Sequence, residues 1–205
     1  MENQEKLTIR QQKALETRNI LFETAVRLIL ERGFDHVHIN DITREAGTST
    51  GSFYTYFKTK EQIIVEHYKQ IDAVYLDAYQ KLNQNLSSTE KLIEVLKAGF
   101  TFSEDLGREF MGIFFSNQFA QKEDIPYVMD NDRIIYKIIY ETIDEGQKSG
   151  EFRTDLDLLD LISMVFKCYT GSYFEWNLMK DNRSLTEEGV KFLYLFIEGT
   201  IKTKN

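Results

Sequence analysis

The chain has 205 residues and a formal net charge of −8, so it is long enough for one or two domains and acidic overall. It is 42% hydrophobic with a single proline and eleven glycines, a balance that argues against a β sandwich and against disordered linkers. No run of ~18 apolar residues is present to cross a bilayer, and the polar start MENQEKLTIRQQK has no apolar core of a secretory signal. Its single cysteine, Cys168, cannot form an internal disulfide, which fits a reducing compartment. A cytoplasmic protein with no membrane partner is expected.

In chain order, a first helix is expected over Leu15 to Arg32, its apolar face made by Ile20, Leu21, Ala25, Leu28 and Ile29 and its end made by Gly33. Phe34 and Val37 should pack beneath it. The stretch Ile39 to Glu61, INDITREAGTSTGSFYTYFKTKE, reads as two short helices joined by a tight turn and followed by a third, capped helix. Asn40 to Ala46 has the helical spacing Ile39, Ile42, Ala46. Gly47 supplies the left-handed turn, and Thr48, Ser49 and Thr50 offer hydroxyls to cap the next helix, which runs to about Phe57. Helix, glycine-bearing turn and polar second helix form a helix-turn-helix at about 38–57, the motif whose second helix enters the DNA major groove.

Thr59-x-x-Gln62 should open one long fourth helix, apolar at Ile63, Ile64, Ile71 and Val74, continuing to about Leu86. Ser87-x-x-Glu90 opens a helix to about Phe102, and an aromatic-rich segment runs from Gly107 to Phe119. Pro126 lies near the start of a helix that Ser149-Gly150 terminates. Thr154-x-x-Asp157 should open a helix to about Met179. Asp181-Asn182-Arg183 is a polar turn, and Ser184-x-x-Glu187 caps the last helix. The fold class is all-α, with about nine helices and neither strand alternation nor an internal repeat. An N-terminal three-helix domain, 15–75, carries the helix-turn-helix; a C-terminal helical bundle, 76–205, follows it.

The acidity is unevenly placed. Residues 1–60 hold nine basic and eight acidic side chains, whereas residues 61–205 hold sixteen and twenty-five. Lys6, Arg10, Lys13 and Arg18 cluster at the first helix, and Lys58 and Lys60 follow the second helix of the motif. The asymmetry suggests different partners for the two parts.

The residues from Thr17 to Ile64 resemble the DNA-binding domain of the TetR family of bacterial transcriptional regulators. The likeness is carried by Ile20, Ala25, Leu28, Gly33, Phe34, Asp41, Ile42, Glu45-Ala46-Gly47, Ser49, Gly51-Ser52-Phe53-Tyr54, Tyr56-Phe57, Lys60-Glu61 and Ile63. His38, Thr43 and Thr48 depart from the common pattern. The resemblance implies a repressor that binds double-stranded, palindromic operator DNA as a homodimer and is released by a small-molecule effector of unknown identity. It further implies that Thr50, Ser52 and Thr55 face the groove, that Ser49, Tyr54, Tyr56 and Lys60 meet phosphates, and that Asn40 contacts DNA. Gly51 allows close backbone approach. Phe53 and Phe57 should be core. With no Arg or Lys before Lys58 in that helix, sequence reading would rest on hydroxyls, methyl contacts and DNA shape. Neutralising Lys60 should lower the salt dependence of binding by about one phosphate contact.

The bundle interior is the expected effector site, with an apolar or aromatic occupant. Its candidate lining is His67 on the fourth helix; Phe100, Phe110, Met111, Phe114, Phe115 and Phe119 in the middle; and Tyr136, Tyr140, Phe166, Cys168, Tyr169, Tyr173 and Trp176 later on. Val190, Leu193, Phe196, Ile197 and Ile201 form an apolar ladder expected at a dimer interface. No metal-ligand spacing, phosphate loop or nucleophile elbow is found, so neither an enzyme nor a bound cofactor is expected. Two alternatives stay open: a redox-responsive regulator using Cys168, and a protein-interaction bundle without DNA binding.

Overall fold

The computed structural model describes residues 8–83, 85–120, 125–179 and 181–203. Among these, nine α-helices occur: α1 (Ile9–Arg32), α2 (Ile39–Glu45), α3 (Thr50–Tyr56), α4 (Lys60–Tyr68), α5 (Ile71–Gln80), α6 (Ser88–Ala120), α7 (Ile134–Ser149), α8 (Leu158–Leu178) and α9 (Leu185–Phe196). A 3-10 turn at Tyr127–Met129 and a π turn at Ile197–Ile201 complete the helical segments. An antiparallel bridge joins Phe152 and Lys202, where Arg153 N–H donates to Ile201 O at 3.0 Å and Thr203 N–H to Glu151 O at 2.9 Å.

The chain divides into two compact units, the first ending at Tyr68 and the second beginning at Lys69. In the first unit α1 starts six residues earlier than expected. Thr8 caps it, its hydroxyl accepting from Gln11 N–H while the Gln11 side chain accepts from Thr8 N–H at 2.8 Å. Leu21, Ala25, Val26, Leu28 and Ile29 are its buried face. Ile20 is not on that face; it is exposed. Beneath α1 lie Phe34, Val37, Ile42, Phe53, Phe57, Ile63 and Ile64, all buried. Lys6 falls outside the described residues.

The expected long fourth helix is two helices. It breaks after Tyr68, where the amides of Asp72 and Ala73 bond three residues back, to Lys69 O at 3.3 Å and Gln70 O at 3.0 Å, tightening the turn. The buried positions Ile64, Tyr68, Ile71 and Tyr75 keep helical spacing across the break, and neither Gly nor Pro marks it. The helix also ends at Gln80, short of Leu86.

In the second unit Ser87 and Glu90 form the expected capping box: Ser87 N–H donates to the Glu90 carboxylate at 2.8 Å and Glu90 N–H to Ser87 Oγ at 3.3 Å. The two segments expected at 87–102 and 107–119 are one helix, α6, broken at Gly107, whose φ of 84° suits glycine. Pro126 precedes the 3-10 turn rather than a long helix. Asp157, not Thr154, caps α8, accepting from Leu159 N–H at 3.1 Å. Ser184 Oγ caps α9 through Glu187 N–H at 3.1 Å and itself donates to Glu104 Oε2 on α6 at 2.9 Å.

The core of this unit is aromatic and close-packed. Phe100 lies 4.6 Å from Tyr169 and 5.2 Å from Tyr173, ring centroid to centroid. Gly99 leaves room for a buried line of hydroxyls. Tyr75 Oη is 2.8 Å from Tyr169 Oη, which is 2.7 Å from Tyr173 Oη, and Ser103 Oγ donates to Tyr173 Oη at 3.3 Å. A Cβ on Gly99 would lie 2.1 Å from Tyr169 Oη.

Candidate functional site

The outer surface of α2 and α3 and a groove in the second unit have the geometry of a site.

α3 is held from beneath by Phe53 and Phe57, both fully buried, with Phe57 6.3 Å from Phe22 on α1. These two rings fix which side of α3 points outward. The turn before it is made by Gly47, φ 64°, and Ser49, whose hydroxyl accepts from Ser52 N–H at 3.1 Å. Asn40, Ser49, Thr50, Gly51, Tyr54 and Thr55 are exposed, and Ser52 and Tyr56 are half-buried. Thr50 Oγ1 donates to Asn40 Oδ1 at 3.1 Å, joining the first turns of α2 and α3 in one polar rim. Thr55 Oγ1 donates back to Gly51 O at 3.0 Å, which leaves its methyl group as the outer contact. Tyr54, 56% exposed, stacks edge-on against Phe53. At the start of α2 the Asp41 carboxylate accepts from His38 N–H at 3.0 Å, and this bond holds its pKa below the usual range.

Lys60 is placed differently from expectation. Its ammonium donates to Phe34 O, and to Val37 O at 2.7 Å, and sits 3.8 Å from the centroid of the Phe34 ring. Its charge is engaged in holding the 34–37 turn instead of facing outward. Lys58, two residues earlier, is exposed. Arg18 is likewise engaged, with Glu66 at 2.6 Å.

The expected effector lining separates into five groups. His67 lies in the first unit, half-buried, 6.2 Å from the Phe22 ring. Phe100, Phe110, Met111, Phe114, Phe115, Tyr169 and Tyr173 are buried core. Phe119 and Tyr140 point outward, 69% and 42% exposed. Tyr136 and Phe166 are half-buried and stack at 5.7 Å, forming one side of a groove of about 320 Å³. Segment 128–131 and residues Leu159, Ile162, Ser163, Lys167 and Thr170 of α8 make its remaining walls. Apart from Tyr136 and Phe166, these residues were absent from the expected set. Aliphatic residues and a 3-10 turn carry no local signal of a cavity. Trp176 lines a smaller cleft of about 160 Å³ between α8 and α9, its indole N–H bonded to Arg183 O at 3.1 Å.

Burial depresses the His67 pKa. The unfolded state, with its ordinary value near 6.5, then binds the extra proton first. Stability contributed by neutral His67 is therefore present above about pH 6.5 and lost as pH falls through the depressed folded value. A His67→Gln variant is expected to lose less thermal stability than the parent between pH 7.5 and 5.5, as followed by circular dichroism melts. Cys168 is buried and its thiol is pushed up to about 11 by that burial, so it stays protonated at neutral pH.

Of the five residues expected at a dimer interface, Leu193, Ile197 and Ile201 are fully buried within their own protomer. Val190 and Phe196 are half-buried. The apolar residues that α9 does expose are Phe192, Tyr194 and Leu195, and the C-terminal half of α8 exposes Phe174 and Leu178. Both faces of α9 are apolar, so composition could not tell inward from outward. Among the described residues no group of His, Cys, Asp and Glu is arranged to hold a metal, and no helix is long and apolar enough to cross a membrane.

Residues 21–66, which span α2, α3 and parts of α1 and α4, match the family described as bacterial regulatory proteins, tetR family. The transcriptional repressor KstR2 of Mycolicibacterium smegmatis is 26% identical over 191 residues, covering 91% of this chain and 92% of the repressor. A transcriptional regulator of Saccharomonospora viridis crystallised with choline superposes with a TM-score of 0.68 at 26% identity, over 93% of this chain and all of that one. The Thermus thermophilus repressor FadR, crystallised with lauroyl-CoA, shares the fold, with a TM-score of 0.71 at 21% identity over 92% and 97% of the two chains.

Proposed function

We propose, from the premise that this chain belongs to the TetR family of bacterial transcriptional regulators, that it is a cytoplasmic repressor that binds a palindromic operator as a homodimer and is released by a small molecule. The observation that carries the reading is the outward polar rim formed by Asn40 and Thr50 on a helix-turn-helix whose inner side is locked by Phe53 and Phe57. Thr50 takes one lone pair of the Asn40 carbonyl and so holds the amide in one orientation. The remaining lone pair and the amide N–H₂ fit the N6 and N7 edge of adenine. Ser49, Ser52, Tyr54 and Tyr56 supply hydroxyls to phosphates, and the Thr55 methyl suits a thymine methyl. Gly51 carries no side chain to hold the backbone away from the groove. Lys58 is an exposed cation just after this helix. A twofold dimer would set two such surfaces about one DNA turn, ~34 Å, or a multiple apart.

Fluorescence anisotropy on DNA from upstream of the chain's own gene, against random DNA of equal length, tests the reading. Thr50→Val, which keeps the shape and removes the hydroxyl, is expected to weaken operator binding by roughly tenfold while leaving random DNA within twofold. Equal affinity of the parent chain for both DNAs would count against it.

For the effector, the groove beside Tyr136 and Phe166 is the site we favour. Its volume of about 320 Å³ lies at the lower end of small-molecule sites, and its stacked rings and aliphatic walls suit an apolar portion of a ligand. Lys167 and Asp130 stand at its polar side. The ligands crystallised with the two structural relatives, lauroyl-CoA and choline, are the first compounds to screen by thermal shift and operator release. Cys168 is disfavoured as a redox switch because a buried, protonated thiol reacts slowly.

A further inference from the structure

Residues next to both walls of the groove are hydrogen-bonded to the same turn of α5. On one side, segment 128–131 is flanked by Tyr127 and Arg133. Tyr127 donates its hydroxyl to Asp72 Oδ2 at 2.7 Å. Arg133 donates to Asp72 Oδ1 through Nε at 3.1 Å and Nη2 at 2.9 Å. The buried guanidinium lies 3.9 Å from the Tyr127 ring centroid, and the Lys69 ammonium lies 5.6 Å from the same ring. On the other side, the wall residues Phe166 and Thr170 of α8 bracket Tyr169, whose hydroxyl meets Tyr75 Oη at 2.8 Å. Asp72 and Tyr75 are three residues apart, on adjacent positions of one helical turn.

The two ties differ from the ordinary surface pairs on the same helix. Lys81 and Asp77, an exposed i,i+4 pair, can part and re-form in water at little cost. Arg133 is almost inaccessible, and a buried cation separated from its carboxylate has no water to replace it. Tyr75 is wedged against Gly99, where even one added methyl group would overlap its ring. Arg133 and Tyr75 are both buried, so a displacement of either wall is passed on to α5. Asp72 stands four residues beyond Tyr68, where the DNA-reading unit ends, and two beyond the Lys69–Gln70 break.

We propose that Asp72, Tyr127 and Arg133 are positioning residues that convert occupancy of the groove into a displacement of the first turn of α5. An occupant wedged between segment 128–131 and α8 spreads the walls. The Asp72 latch follows one wall while Tyr75 follows the other, and the turn of α5 between them is strained. This rests on the effector reading of the groove given above.

The test uses the full chain and a covalent occupant. Ser163 lines the groove; Ser163→Cys, alkylated with N-phenylmaleimide, fills it, the native Cys168 being buried and the alkylated parent serving as control. Hydrogen exchange is then followed by mass spectrometry on peptides covering 71–80, with 88–100 as internal reference. Alkylation is expected to speed exchange in 71–80 by about tenfold without changing the reference. Adding Tyr127→Phe, which keeps the ring under Arg133 and removes the hydroxyl bond, or Asp72→Asn, should reduce that response to within twofold. Unchanged exchange in 71–80 upon full alkylation, or an equal response in all variants, overturns the proposal. The exchange readout needs no DNA. A relay seen by exchange with operator affinity insensitive to alkylation would retire the effector reading and leave the relay standing. The reverse pattern would retire the relay alone.

Discussion

Replacing Leu195 by glutamate is expected to leave a folded monomer at micromolar concentration and to weaken operator binding by at least about a hundredfold. Leu195 is 60% exposed, so the substitution removes little from the protomer's own core. Together with Phe192 and Gly199 it forms an outward stripe on the last helical segments, and Gly171, Phe174 and Leu178 repeat that spacing on α8. An added Cβ at Gly171 or Gly199 meets no atom within 4 Å, so a second copy could bring its backbone close at both positions. A carboxylate at the centre of such a face must be desolvated without a partner, a cost of about 2–4 kcal/mol in each copy. Leu193→Ala is the contrast. Leu193 is fully buried in its own protomer, and its truncation should lower stability by about 2–5 kcal/mol. Light scattering read beside thermal melts separates the two. A dimeric Leu195→Glu with unchanged melting would place the interface elsewhere.

The second large effect concerns Lys60. Lys60→Met keeps the aliphatic stem and removes the charge. It is expected to cost about 2–4 kcal/mol of stability, from two charge-assisted bonds to backbone carbonyls and the contact with the Phe34 ring. The salt dependence of DNA binding should be unchanged at temperatures where the variant is folded. Lys58→Ala should show the reverse, with unchanged melting and a salt slope lower by about one. Chemical denaturation and a salt titration on random DNA measure both. A reduced slope for Lys60→Met with unaltered stability would return Lys60 to the phosphate.

What was legible in the sequence was local. Gly47 and Ser49 mark the turn and cap of the DNA-reading helix, Ser87 and Glu90 close a capping box, and Gly150 ends α7 in the left-handed region. Each of these signals works through bonds to atoms within four residues. Phe53 and Phe57 were legible as core because their spacing puts them on one side of a short helix. The break between α4 and α5 was not, since Ile64, Tyr68, Ile71 and Tyr75 keep the helical period through it.

The residues from Thr17 to Ile64 by themselves carried the likeness to the TetR family, the helix-turn-helix and the polar character of its outer surface, because those depend on short-range geometry and an ordered motif; the family match spans 21–66. Only the tertiary structure decided which of two apolar faces of α9 turns inward, that Lys60 serves the 34–37 turn, and that a groove opens beside Tyr136 and Phe166. The partners lie far along the chain: 23 residues separate Lys60 from Val37, and in the core of the second unit 94 separate Tyr75 from Tyr169. Hydrophobicity and charge say that such side chains need a partner, and packing alone chooses which one they receive.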